Sequence, residues 1–441
     1  TNTQYLLINL IEAPALAFVL AALIRFFNTD ANNTKGYFFR ENENVPAYMF
    51  MSVVVALFIG LTVSAEEIIR DRKIRKRESF LNLSKGSYLW SKIIIMFSLS
   101  AIQTFMFVLV GNLIMGVKGM FCDYWMVLFS ASCFANMLGL NISSAFNSAV
   151  TIYISIPFLI IPQLLLAGVV VKFDKLNPIL AKQGGVPLVG EMMASRWAFE
   201  ALAVNQFKAN EFHKNFYRFE KSISIANYKK VYWIPELTNK INKINNALSD
   251  PAKKNEVEKD LTLLRNELGK EQSFLKNKYK FDGINQLNSK DYTPAIGSSL
   301  KSFLERINEN YINVDKRARE LKDKVTQKMI TDLGSNEKFI DLQDDYTNEA
   351  LNQFVLNNND LGLRCLEHDG KLIQRTEPVY LDPTDSNLGA AHFYAPNKRF
   401  MGSLISTYWF NMAVIWLMSI SLMVMLYFEV FKKILDGMGN I

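Results

Sequence analysis

The stretch Glu66–Lys92, EEIIRDRKIRKRESFLNLSKGSYLWSK, lies between the second and third of six long apolar segments. It carries eight Lys or Arg and four Asp or Glu among 27 residues. A short loop this basic stays on the cytoplasmic side of a membrane, so it sets the orientation of every apolar segment around it. A bilayer-crossing helix needs about 20 mostly apolar residues. Tyr5 to Phe27, Pro46 to Ala65, Ile93 to Gly116, Trp125 to Ile142, Ala149 to Val171 and Leu404 to Phe431 supply six such spans. Alternation from the basic loop puts the N-terminus, the Ser143 to Ser148 turn and the C-terminus in the cytoplasm. Asn28 to Val45, Val117 to Tyr124 and Lys172 to Gly402 then lie outside. Charge agrees, because Asn28 to Val45 holds two basic and three acidic residues,.

Composition splits the 441 residues into two materials. Apolar residues collect in residues 1–171 and 401–431, which divides the chain into five spans with their loops (1–171), a polar outer stretch (172–402) and a last span with its tail (403–441). The mean hydropathy of +0.07 averages a bilayer-embedded part with a water-soluble one,. The formal net charge of +7 is what basic residues at the ends of spans produce, and it is no sign of nucleic-acid binding,. Three Cys exclude a disulfide-rich scaffold,. Cys122 and Cys365 would share the outer side, where a bridge could form, whereas Cys133 falls inside a span and packs. The chain opens Thr1-Asn2-Thr3 without an initiator Met, as the C-terminal part of a longer polypeptide would.

In the outer stretch, Leu237, Ile241, Ile244 and Leu248 recur at helical spacing, and so do Val257, Leu261, Leu264 and Leu268 after Ser249-Asp250-Pro251. This predicts an antiparallel helical hairpin over about 234–275. Leu300, Leu304, Ile307, Tyr311, Val314, Ala318, Leu321 and Val325 predict a long helix over about 298–333,. Such stripes serve packing within one domain, or else docking of a partner outside the cell. Leu363 to Lys398, with three Pro and two Gly, reads as irregular structure or short strands,.

No GxxxxGK[ST] or HExxH occurs, and His213, His368 and His392 are far apart,. Catalysis, metal binding and a resident cofactor are therefore not expected in this chain. Glu367, His368 and Asp369 read as a solvated turn rather than a metal site. Glu12 sits about eight residues into the first span, where an ionisable side chain costs several kcal/mol unless paired or hydrated. It reads as an inner-interface residue, with a place on a transport path as the alternative. If the second span continues as a helix past Ala65, charged faces flank Ile68, Ile69 and Ile74, and Glu66 and Arg70 stand four apart,. Four acids in a basic helix suit a protein partner of mixed charge better than lipid alone.

Glu67, then Arg77-Glu78, then Tyr88, then Ser91-Lys92 fall in the order found in the membrane domain of ATP-binding-cassette exporters of the G subfamily, within the wider ABC type-2 permeases, and the chain resembles that family here. The fifth apolar segment, with Pro162, Gln163 and Gly168, is similar to the family's proline-containing span ending in glycine. SRWAFEAL at Ser195 to Leu202 resembles its short outer helix, without the family's proline. The resemblance covers residues 1–208 and 396–441, and the stretch from Tyr217 to Leu388 has no counterpart in it.

The apolar segments and the outer stripes predict an all-α membrane protein of six transmembrane helices with a large, mainly helical extracytoplasmic domain between helices five and six, and the resemblance covers its membrane part. The resemblance implies a bacterial inner-membrane dimer, most simply a homodimer. A cytoplasmic ABC ATPase domain, fused upstream or separate, would bind ATP and Mg and drive it. Glu66, Glu67, Arg70, Arg72, Arg77 and Glu78 would couple to that ATPase. Phe50, Phe58, Phe158 and Gln163 would line the substrate cavity, with ordinary helix packing as the alternative. Arg196, Trp197 and Glu200 would form the outer re-entrant element. The cargo would be a lipid or another hydrophobic or amphipathic molecule. A rival role gives the outer domain a periplasmic protein to dock and uses ATP for signalling or force.

Overall fold

The computed structural model describes residues 3–27, 36–77, 84–181, 185–275, 278–357, 364–383 and 388–438. In chain order the elements are α1 (Thr3–Ile24), α2 (Val45–Ala65), α3 (Glu67–Arg77), α4 (Lys85–Met115), α5 (Phe121–Ala145), α6 (Ala149–Leu165), α7 (Leu188–Glu191) and α8 (Ala194–Ala209). There follow α9 (Tyr217–Tyr228), α10 (Ile234–Ala247), α11 (Lys254–Phe274), α12 (Pro294–Leu333), α13 (Asn336–Tyr346) and α14 (Glu349–Leu356). The hairpins β1 (Cys365–His368) with β2 (Lys371–Gln374) and β3 (Asn397–Phe400) with β4 (Ser403–Ser406) precede α15 (Thr407–Tyr427) and α16 (Val430–Met438). The chain divides into two compact units, one of residues 1–213, 340–355 and 382–441, the other of 214–339 and 356–381.

Among the described residues five helices, α1, α2, α4, α5 and α15, are long and apolar enough to cross a membrane and make this an integral membrane protein,. The expected span from Ala149 to Val171 is helical only to Leu165, 17 residues. At 1.5 Å per residue that is about 26 Å, short of the roughly 30 Å hydrocarbon core. The helix ends because the chain turns at Gly168, whose φ of +78° is left-handed and whose Cβ, if present, would lie 2.4 Å from the Phe173 ring. At the other end of the sequence, Leu404 and Ile405 belong to β4 rather than to the last apolar helix. Met401 (φ 47°) and Gly402 (φ 82°) form the two-residue left-handed turn that closes the β3–β4 hairpin,.

In the first unit α5 is the hub, packed by α2, α4, α8 and α15, with α1 against α4 and α6 against α2. Small residues let α2 and α5 approach closely. A Cβ on Gly60 would lie 2.5 Å from the Ser132 carbonyl oxygen, and one on Gly139 would lie 2.0 Å from the Ser64 hydroxyl. Polar side chains inside the bundle pair across helices, as Tyr48 does with Asn112 (3.0 Å) and Asn136 with Ser100 (2.7 Å),. Residues 340–355 join this unit by strapping loops between its helices. Asn348 donates to the carbonyls of Phe39 and Asn42, Arg40 pairs with Asp344 and Glu349, and Lys118 pairs with Asp345.

The second unit has its own core, formed where the apolar stripes of α10, α11 and α12 meet, including Leu237, Ile241, Leu261, Leu264, Leu300 and Ile307. Each such side chain, fully buried, contributes about 1.5–3 kcal/mol of transfer free energy. Along α12 the stripe is buried from Leu300 to Tyr311, but Val314 and Leu321 are exposed. The β1–β2 hairpin turns at Asp369 (φ 50°) and Gly370 (φ 67°), so Glu367 and His368 are strand residues and only Asp369 lies in the turn,. Glu367 reaches Lys240 at 2.6 Å, and Asp260 holds the same ammonium at 2.7 Å. All three Cys are free thiols, so the Cys122–Cys365 bridge is not formed. Cys365 instead lies 3.2 Å from the Tyr228 hydroxyl.

Candidate functional site

The amphipathic pattern of Glu67–Arg77 folds as α3, which follows α2 after one residue, Glu66, with the Arg70 amide donating to the Glu66 carbonyl at 3.0 Å. The first amides of a helix have no partner within it. Here those of Ile68 and Ile69 both donate to the Ser143 hydroxyl of α5, each at 3.0 Å. Glu67 is buried and pairs with Lys92 of α4 at 2.8 Å and with Arg70. Lys92 also reaches Asp71 at 2.7 Å, and the Tyr88 hydroxyl donates to Asp71 at 3.2 Å. Ile68 packs with Leu89, Ile93, Met137, Leu140 and Leu426, which ties α3 to α4, α5 and α15. Its inner face is therefore charge-balanced and bolted down. Arg70, Arg72, Ile74 and Arg77 are exposed, and Arg72 donates to Asn147.

Of the six coupling candidates, Glu66 is half-buried at the α2–α3 joint, and Glu67, Arg70, Arg72 and Arg77 sit on α3. Glu78 lies outside the described residues. The i,i+4 spacing of Glu66 and Arg70 points to a pair between them, whereas Arg70 bonds Glu67, three residues away. Glu67, Tyr88 and Lys92, which the resemblance singled out in the sequence, come together around Asp71 and one another. Ser143 carried no sequence signal, because a serine after an apolar helix reads as a turn residue.

The four cavity candidates divide. Phe50 is buried and packs edge-on against Phe199, with centroids 5.7 Å apart. Gln163 is buried, its side-chain oxygen accepting from the Ser195 amide at 3.0 Å and its carbonyl from the Ser195 hydroxyl at 2.5 Å. Phe58 and Phe158 are 40% and 73% exposed on α2 and α6. Two are therefore buried within the unit and two are exposed on it.

Arg196, Trp197 and Glu200 lie on α8 and are all buried. Glu200 pairs with Lys398 of β3 at 2.8 Å, both side chains being fully buried, and accepts from Asn411 of α15 at 2.9 Å and from the Tyr394 amide at 3.1 Å. The Arg196 guanidinium lies 3.7 Å from Glu200, 3.3 Å from Glu191 and 3.8 Å from the centroid of the Trp197 ring. Burial pushes the Glu200 carboxyl up, but the Lys398 and Arg196 charges outweigh it and hold it below the usual range,. Burial pulls the Lys398 ammonium down, with Glu200 opposing,. The ion pair fixes α8 to the strand that returns from the polar stretch.

The second unit holds a cleft of about 470 Å³ lined by Glu220, Ser224, Arg319, Lys322, Glu377 and Tyr380, among others. Lys322 pairs with Glu220 at 2.8 Å, Tyr380 donates to Glu220 at 3.1 Å, and Ser224 donates to Glu377. Among the described residues no three His, Cys, Asp or Glu side chains gather closely enough to hold a metal ion.

No curated protein and no solved structure matches the chain. The family model described as ABC-2 type transporter matches residues 1–207, from α1 into α8. That match supports an ABC-2-type transporter membrane domain at residues 1–207, a permease component rather than a catalytic one.

Proposed function

We propose that this chain is the permease half of an ATP-driven ABC exporter. An ATPase domain, on the same polypeptide or separate, seats on α3 from the cytoplasm and binds ATP and Mg. Two permease halves, identical in the simplest case, switch between inward-open and outward-open states. The cargo is a lipid or another hydrophobic or amphipathic molecule, and the setting is a bacterial inner membrane with both termini inside. One observation carries this reading: α3 presents an exposed basic face while its buried Glu67 is bolted to α4. A force applied to such a helix passes into the bundle. Swinging a two-state population from 1:99 to 99:1 requires about 5.5 kcal/mol of differential nucleotide affinity, which the ATPase must supply.

Reversing the charges of Arg77 and Glu78 together is expected to uncouple ATP hydrolysis from transport while membrane insertion persists. Hydrolysis and flux measured side by side in proteoliposomes check this. Unchanged coupling in the double reversal counts against α3 as the lever.

A second reading is favoured by the separate core and polar cleft of the second unit. There the outer unit docks a periplasmic protein, and ATP drives signalling or force. ATPase stimulation by such a protein, with no flux of any cargo, distinguishes it.

A further inference from the structure

Helix α15 has an exposed apolar side. Trp409, Leu417, Ile420, Val424 and Tyr427 are each more than half exposed, and their spacing places them along one side of the helix,. Trp409 and Tyr427 are 18 residues apart, about 27 Å at the helical rise,. That approximates the hydrocarbon thickness, and Trp and Tyr concentrate at its two edges. Tyr427 therefore marks the interface on the α3 side of the bundle.

Two residues later Glu429 adopts a left-handed φ of +52°, uncommon for a residue with a side chain, and the helix breaks,. Lys85, at the start of α4, braces the corner, its ammonium 2.8 Å from Glu429 and 5.8 Å from the Tyr427 ring centroid. Beyond the corner α16 is amphipathic: Val430, Phe431, Ile434 and Leu435 share one side, and Lys432, Lys433 and Asp436 the other,. Ile434 is 52% exposed, so the exposed apolar stripe of α15 continues past the corner through Phe428 to α16.

We propose that α16 lies in the headgroup layer at this end of the bundle, with Ile434 toward the acyl chains and Lys432 and Lys433 holding anionic phospholipid headgroups. Three features favour lipid as the occupant. The helix begins at the depth that Tyr427 marks. Its apolar side continues a lipid-facing surface. Its polar side carries Lys432, 3.7 Å from Glu429 at the corner, and the exposed Lys433 against Asp436, and Lys85 also holds Glu429, so the corner and helix are net positive and complement an anionic leaflet,. Through Lys85 the corner is joined to α4, so lipid charge acts on the helix that also anchors Glu67. The proposal is independent of the exporter reading, since its test reads only the position of α16 and its binding of lipid.

The test uses the purified full chain with Cys122→Ser, Cys133→Ala, Cys365→Ser and a nitroxide on Ile434→Cys. Nanodiscs are made of phosphatidylcholine, or of phosphatidylcholine mixed with phosphatidylglycerol. The expected result in the mixture is frequent collision of the label with oxygen and infrequent collision with a water-soluble nickel chelate. Native mass spectrometry of the otherwise unaltered chain gives the second readout. Lys432→Gln with Lys433→Gln is expected to weaken phosphatidylglycerol binding by about thirtyfold, the effect of two unit charges at an anionic surface. A label open to nickel in both lipids, a label shielded from both reagents by protein, or an unchanged phosphatidylglycerol affinity in the double variant would each overturn it.

Discussion

Glu200→Ala is expected to destabilise the first unit by about 3–5 kcal/mol, the cost of removing one partner from a buried ion pair. The substitution strips the carboxylate that pairs with the fully buried Lys398 ammonium and leaves Arg196 near it with the same sign. Asn411 and the Tyr394 amide lose their acceptor as well. A thermal unfolding curve of the purified protein in one detergent checks this, with loss of folded protein on expression as the extreme outcome. Glu200→Leu with Lys398→Met should recover much of the loss, because an apolar pair of similar volume needs no compensation for desolvated charge. The pH dependence has a definite sign. The Glu200 carboxyl sits below its ordinary range in the folded protein, so its stabilisation is present above the unfolded carboxylate pKa and is lost as pH falls through the lower folded value,. Wild type should therefore weaken in acid, below the ordinary carboxylate range, and the Leu/Met pair should weaken less. A melting temperature unchanged in Glu200→Ala would remove the ion pair from the account.

Glu67→Ala should act on transmission. With the carboxylate gone, Lys92 keeps Asp71, and α3 keeps its two amide bonds to Ser143, so the helix stays seated on α5. What it loses is the more buried of its two carboxylate links to Lys92 of α4, the other being Asp71. In the exporter reading, nucleotide added to the complex with the ATPase domain alters amide hydrogen exchange in α3 and in the inner turns of α4. In Glu67→Ala the α4 response should fall by about fivefold in coupling constant, the low end of 1–3 kcal/mol of coupling because Asp71 still holds Lys92, while α3 still responds,. An α4 response equal to wild type would show that the force travels by another route.

Much of the bundle was legible in the sequence because lipid imposes length and apolarity, which are local properties. The limits of legibility are equally physical. Ala149 to Val171 reads as one span by hydropathy, but the turn at Gly168 depends on the approach of Phe173, which no window average contains. Leu404 and Ile405 read as the head of a span, yet the Met401-Gly402 turn commits them to a strand. Arg196 and Glu200 were visible on α8, while nothing in the sequence singled out Lys398, 198 residues after Glu200, as their partner. Its burial follows only from tertiary placement. On α3 the helical pattern was readable, but the inward turn of Glu67 toward Lys92 required the neighbouring helix.

Accessibility of Arg77→Cys tests the central claim most directly, in a chain whose own cysteines are replaced. A membrane-impermeant thiol reagent is applied to intact cells and to inverted membrane vesicles carrying the associated ATPase. The account predicts no labelling in cells and labelling in inverted vesicles that ATP diminishes. Labelling of Arg77→Cys in intact cells would contradict it.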